Sequence, residues 1–357
     1  MNYFQSKHQN IGKSMILAGL LSINSLLINS IPFGEGWGGV YAQDTRYTQS
    51  YAAPLRLNPA IMGANTDIKG ILNYRNQWGN ISNGYTTYRF TFLYPLLMED
   101  DQGKIDIGLS AFNDKAGAFN TLDIALALSY NLQVSESGHN LCGALTGGFV
   151  QKSLDLDAQT FDEQYVLGEF DENNPMNETI NNEPVMYPDF GAGLVWYYNP
   201  SGEDSKVNAY FGASVFHHNK PDESFTNEQG NLPTRTNFHG GVKIIGIGKF
   251  DFTPNLRLST QSGAEETAIG IYNDYNINED MKITLGVWYR YKRQDAIAVL
   301  LGFEHTYFGL GYSYDLASFG MSKVISGAMT HEITLAFKIN RAEKKGVDMN
   351  PSPFSLF

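Results

Sequence analysis

With 357 residues, 36 glycines, 21 tyrosines, 22 phenylalanines and 17% charged residues, against roughly 25% in soluble domains, the chain reads as one large β domain. Its formal charge of −12 comes without clustered Lys or Arg, which excludes a nucleic-acid surface. The single cysteine, Cys142, excludes an internal disulfide and a cysteine-built metal site, and its hydrophobic, glycine-rich surroundings give it a small apolar role in a core.

The N-terminus reads as an export address. Lys7, His8 and Lys13 precede an apolar run over 14–31, and Val40-Tyr41-Ala42 supplies small residues at −3 and −1. Cleavage is expected between Ala42 and Gln43, which makes 1–42 a signal peptide. An uncleaved anchor is the alternative, and Asn24 and Asn29 make the run a poor span. The remaining units are a periplasmic N-terminal segment over 43–67, a barrel over 68–339 and a C-terminal tail over 340–357.

From residue 68 onward the dominant signal is a period of two. Ile105, Ile107 and Leu109 alternate with Asp106, Gly108 and Ser110, and Leu122 to Tyr130, Val207 to Val215, Ile283 to Tyr291, Phe308 to Tyr314 and Ile333 to Ile339 repeat the pattern. The runs are about 10 residues long, enough for a tilted strand to cross a bilayer. Tyrosines near the strand ends of the apolar face suit an interfacial girdle, and the small or polar opposite face suits a lumen. Only helices and closed barrels satisfy their backbone in lipid. The expectation is an all-β, antiparallel transmembrane β-barrel of about 14 strands, with short periplasmic turns and longer extracellular loops. The loop over 153–188 is rich in Asp and Glu without the spacing of a calcium loop, so it reads as solvated.

Catalytic spacing is missing. No Gly-x-Ser-x-Gly, His-Glu-x-x-His or phosphate-binding loop is present. His217-His218 would need a third metal ligand, with His239 or Asp222 as candidates. On the first strand Asn73, Arg75 and Gln77 share the inward face, opposite Leu72, Tyr74 and Trp78. A lumenal Arg75 needs a carboxylate, for which Asp106 and Asp123 are the candidates.

Several segments together resemble the PorP/SprF family of type IX secretion membrane proteins. They are Asn58-Pro59-Ala60 with Gly63, Tyr74-Arg75-x-Gln77-Trp78, Asn113-Asp114-Lys115-Ala116-Gly117, the stretch over 210–221, Gly311 to Asp315, and His331-Glu332-Ile333-Thr334-Leu335. The resemblance implies a non-enzymatic barrel in the outer membrane of a Bacteroidota-type cell, without cofactor or metal. It also implies work with the type IX secretion and gliding apparatus. The implied partners are secretion components, a secreted adhesin-like protein with a C-terminal sorting domain, and a periplasmic peptidoglycan-associated ring protein. Asn58, Pro59, Gly63, Tyr74, Arg75, Gln77, Trp78, Asn113, Asp114, Gly117, His331 and Glu332 are expected to be structural motif residues, with Asn58-Pro59 setting the entry from the periplasm. Two features depart from the family: Gly79 stands where many relatives carry Pro, and the tail leaves open whether Phe337 or Phe357 is the insertion signal. A channel for a small or hydrophobic solute is the alternative function, and an outer-membrane hydrolase stands third.

Overall fold

The computed structural model describes residues 44–79, 84–97, 103–155, 183–200, 206–226, 229–291, 296–317 and 329–339, and a few positions inside 156–182. The expected signal peptide, the expected C-terminal tail with Phe357, and most carboxylates of the acidic loop lie outside them.

Fourteen strands close into one antiparallel barrel. They are β1 (Ile68–Gln77), β2 (Tyr85–Leu97), β3 (Gly103–Ala116), β4 (Phe119–Ser135), β5 (His139–Leu154), β8 (Val185–Tyr198), β9 (Val207–Phe216), β10 (Arg235–Ile247), β11 (Phe250–Gln261), β12 (Ala264–Asn276), β13 (Met281–Arg290), β14 (Ala296–His305), β15 (Phe308–Ala317) and β16 (Met329–Ile339). Between β5 and β8 a two-stranded ribbon forms from β6 (Tyr165–Val166) and β7 (Glu169–Phe170). Each barrel strand pairs with its neighbours in sequence, and β1 closes on β16 in a register running from Ile68↔Ile339 to Gln77↔Thr330. The expected strand number and topology are therefore met.

Alternation assigns the faces. On β4, Leu126 and Leu128 are 60% and 59% exposed while Ala127 and Ser129 between them are 1% and 3% exposed. Burying a leucine is favourable by about 1.5–3 kcal/mol, so an exposed apolar band of this regularity is a lipid-facing surface. No described helix is long and apolar enough to cross a membrane, and the strands supply the crossing. One end of the barrel, where β1 starts and β16 finishes, carries short turns such as 248–249 and 306–307. The other carries the connections over 155–184 and 217–234. Two hairpins at that long-loop end depart from the expected length: β3 to β4 turns through Gly117 (φ 62°) and Ala118, and β11 to β12 through Ser262 (φ 50°) and Gly263 (φ 73°). Positive φ at tight two-residue turns matches the right-handed twist of the flanking strands.

A barrel of this strand number is wider than wall side chains can fill. Residues 44–65 fill it. A 3-10 turn (Ser50–Ala52), one α-helical turn (Pro54–Leu57) and a 3-10 helix (Pro59–Ala64) follow one another through the lumen. Tyr51, Leu55, Leu57, Ile61 and Met62 bury their side chains in a cluster that includes Cys142, Val195, Tyr272, Trp288 and Leu300 of the wall. The sequence pattern suggests a periplasmic segment over 43–67; its described part is a plug in the lumen. A short apolar segment with two prolines cannot join the strand ladder, yet it is too apolar to stay in water, and the lumen is the only neighbouring place to bury it.

Candidate functional site

The plug and the lumen wall form the site. Near the long-loop end the carboxylate of Asp44 receives Arg56 (Nη2 at 2.9 Å), His217 (Nε2 at 2.7 Å) and Arg235 (Nη1 at 2.5 Å), all on Oδ2. Its backbone N–H donates to Gln261 Oε1 at 3.1 Å. The other ring nitrogen of His217 lies 3.0 Å from Asp189. Burial opposes ionisation of Asp44, but Arg56, His217 and Arg235 outweigh it and hold its carboxyl well below the usual range. Burial likewise works against the His217 cation, yet Asp44 and the hydrogen bonds to Asp189 and Asp44 raise its pKa to about 9.

Deeper in, Glu332 accepts the backbone N–H groups of Thr48 at 2.9 Å and Gln49 at 3.0 Å, and pairs with Arg75 at 3.2 Å. Thr48 Oγ1 donates to Asp315 at 2.6 Å, and Asp315 also receives Arg290 at 3.1 Å. Arg257 links Glu266 (2.7 Å) to the Tyr47 carbonyl (3.1 Å). Lower still, Asn58 caps the second 3-10 helix through Ala60 N–H at 3.0 Å, with Pro59 at its first position, where a missing N–H costs nothing. The amide of Asn58 then donates to the wall carbonyls of Leu194 (3.1 Å) and Ala213 (3.0 Å). Glycine is required where the plug touches the wall. A Cβ on Gly193 would lie 2.0 Å from Asn58 Oδ1, and one on Gly63 would lie 2.0 Å from Cys142 Sγ.

The motif residues therefore fall into distinct places. Asn58, Pro59 and Gly63 belong to the plug. Arg75 and Gln77 face the lumen and hydrogen-bond each other (Nη2 to Oε1, 3.1 Å). Tyr74 packs on Tyr88 with ring centroids 5.2 Å apart, and Trp78 on Tyr85 at 5.5 Å. Asn113 donates to Asn120 at 3.1 Å, Asp114 accepts from Thr87 at 2.5 Å, and Gly117 makes the hairpin. His331 meets the Tyr312 hydroxyl at 2.8 Å, while Glu332, next to it, is fully buried.

One expectation is corrected. The carboxylates serving Arg75 are Glu332 and Asp315, because β1 pairs with β16 and its register sets Arg75 opposite Glu332. Asp106 instead pairs with Lys104 at 2.9 Å, and Asp123 lines a pocket with His217. The ring of His217 serves Asp44 and Asp189, His218 is exposed, and His239 sits mid-lumen beside Asn58 at 3.2 Å. Asp222 caps Ser224 and Gly230 N–H groups in its own loop. Among the described residues no group of three or more His, Cys, Asp or Glu could hold a metal ion.

The family model for the type IX secretion system membrane protein PorP/SprF matches residues 39–337. The chain belongs to the PorP/SprF family. It is an outer-membrane barrel component of the type IX secretion system. No curated protein shows significant sequence similarity to it. Among solved structures, a Pseudomonas aeruginosa FadL homologue is 10% identical, with 79% of this chain and 92% of that one covered and a TM-score of 0.48. The Pseudomonas putida toluene transporter TodX is 10% identical over 86% of this chain and 99% of its own, with a TM-score of 0.47. The Ralstonia pickettii toluene transporter TbuX is 9% identical over 80% and 92%, also at 0.47. At these identities the likeness is one of barrel architecture and says nothing of cargo.

Proposed function

We propose that this PorP/SprF barrel is a non-enzymatic docking scaffold, which supports export or surface attachment of secreted, adhesin-like proteins with C-terminal sorting domains. The observation that carries this reading is the filled lumen. The plug is held by charged hydrogen bonds to β10, β11, β15 and β16 and by an apolar cluster, so what the barrel offers a large partner is a rigid rim. In this reading the signal peptide delivers the chain, the long-loop end faces outward, and the terminal end meets periplasmic components such as a peptidoglycan-associated ring protein in gliding or secretion. A deletion strain is expected to lose surface display of sorting-domain proteins while other outer-membrane proteins remain. A strain that still displays every such protein removes the proposal.

The channel reading has one observation in its favour: two pockets flank Asp44 at the long-loop end. Planar-bilayer recording separates the two functions. The scaffold gives a silent barrel that conducts once residues 44–65 are deleted; a steady open state in the intact chain supports the channel.

A further inference from the structure

The start of the plug and the barrel wall form a pocket of about 60 Å³, whose lining includes the strand ends Gln261 and Ala264. Arg46, Arg56, Arg235 and Arg257 line it against two carboxylates, Asp44 and Glu266. Guanidinium is thus in excess. Asp44 draws three cationic donors to a single oxygen, leaving the arginines with capacity to spare, since a guanidinium carries five N–H donors. Three buried donors of lining residues have no hydrogen-bond partner among the described residues: Arg235 Nε, Arg56 Nε and Ser50 Oγ, while Glu266 Oε2 is met by Arg46 at 2.9 Å. A buried donor left unsatisfied is destabilising, so these groups favour an acceptor.

We propose that this pocket is a binding site for a carboxylate of an incoming polypeptide, received by Arg235 from the wall and Ser50 from the plug. The two oxygens of a carboxylate can accept from Arg235 Nε and Ser50 Oγ, with Arg56 Nε as a further donor in the same lining. Arg46, whose side chain is 28% exposed and pairs with Glu266 at 2.9 Å, stands at the rim where a peptide would enter. Because one donor belongs to the plug and the other to the wall, the ligand ties the two together and stabilises the plugged barrel. The site goes beyond the scaffold reading and stands or falls without it, since its test uses purified protein alone.

The full chain in detergent is titrated at constant ionic strength with an acetylated, amidated triglutamate, with trialanine bearing a free C-terminus, with an acetylated, amidated trilysine, and with inorganic phosphate. Tm is followed together with hydrogen exchange over residues 44–51. A saturable rise in Tm with added protection is expected for triglutamate, trialanine or both, and which of them acts names side chain or chain terminus. Ser50→Ala is expected to weaken binding roughly tenfold, the size of one hydrogen bond to a charged group, and Arg46→Gln to weaken it at the rim. The proposal is overturned by no saturable shift with either carboxylate peptide, by equal shifts with trilysine, by phosphate binding as tightly as the peptides, or by unchanged affinity in both variants.

Discussion

Arg75 and Glu332 stand opposite each other across the strand pair that closes the barrel, Nη1 to Oε2 at 3.2 Å, and the same carboxylate accepts the Thr48 and Gln49 N–H groups of the plug. One side chain thus joins first strand to last and wall to plug. Glu332 is 0% exposed and Arg75 3%, so neither charge can relax into water. Glu332→Ala leaves Arg75 with Asp315, at 3.7 Å, as its carboxylate partner among the described residues, and removing one partner of a buried pair costs about 3–5 kcal/mol. The expected outcome is a lower temperature for the mobility change of the folded barrel on gels. A double exchange, Arg75→Met with Glu332→Leu, is expected to restore barrel stability but not plug protection in hydrogen exchange, because the two plug amides still lack their acceptor.

Asn58 fastens the middle of the plug. Asn58→Ala deletes the donors to the carbonyls of Leu194 and Ala213, and Asn58→Asp sets a carboxylate against those carbonyls. A loss of about 1–3 kcal/mol is expected for Ala and more for Asp. Cys142, the single cysteine of the chain, is fully buried against Gly63, so its reaction with a maleimide reports plug release. Labelling is expected to be slow in the wild type and at least about tenfold faster in both variants, since about 1.4 kcal/mol is a factor of ten. Equal labelling rates in all three proteins would count against the latch.

The barrel was legible because lipid enforces alternation over every strand: Leu126 and Leu128 could not have faced any other solvent, and the closing partnership of first and last strands follows from topology. The lumen was not legible, for a different reason. An inward Arg75 announces that it needs a carboxylate, but which one depends on register, and register is a long-range property that no local spacing carries. The plug was hidden by its irregularity. Leu55, Leu57, Ile61 and Met62 show neither a strand nor a helix period, and only their apolar character, in a segment expected to sit in water, hinted at burial. Asp44, Arg235 and Arg257 look like ordinary scattered charges until the plug brings them together.

The contact between Gly63 and Cys142 makes a size prediction. A Cβ at Gly63 would sit 2.0 Å from Cys142 Sγ and 3.0 Å from its Cβ, distances no packing tolerates. Gly63→Ala is expected to displace the plug, seen as lost hydrogen-exchange protection over 58–65. Cys142→Gly removes both clashing atoms and is expected to recover protection in the double variant. Such strongly non-additive behaviour is what direct contact produces. Additive losses in the double variant would place the two residues apart.

Protonation sets the working range of the latch at Asp44. His217 has a folded pKa of about 9, above the ordinary 6.5 or so. Its contribution is therefore fully present below about pH 6.5 and is lost as pH rises through about 9. Asp44 is shifted the other way, so its contribution is present above about pH 4, the ordinary carboxyl value, and is lost as pH falls through its depressed pKa. At about 1.4 kcal/mol per unit, the His217 shift is worth at most about 3 kcal/mol. Trypsin cleavage after Arg46, followed between pH 7 and 10 and corrected for the enzyme's own activity, is expected to accelerate through pH 9. In His217→Gln the pH step is expected to vanish, leaving cleavage fast throughout, because a neutral amide donates to Asp44 without titrating and without the ionic attraction. If the wild type and the variant trace the same pH profile, the imidazolium does not hold the plug.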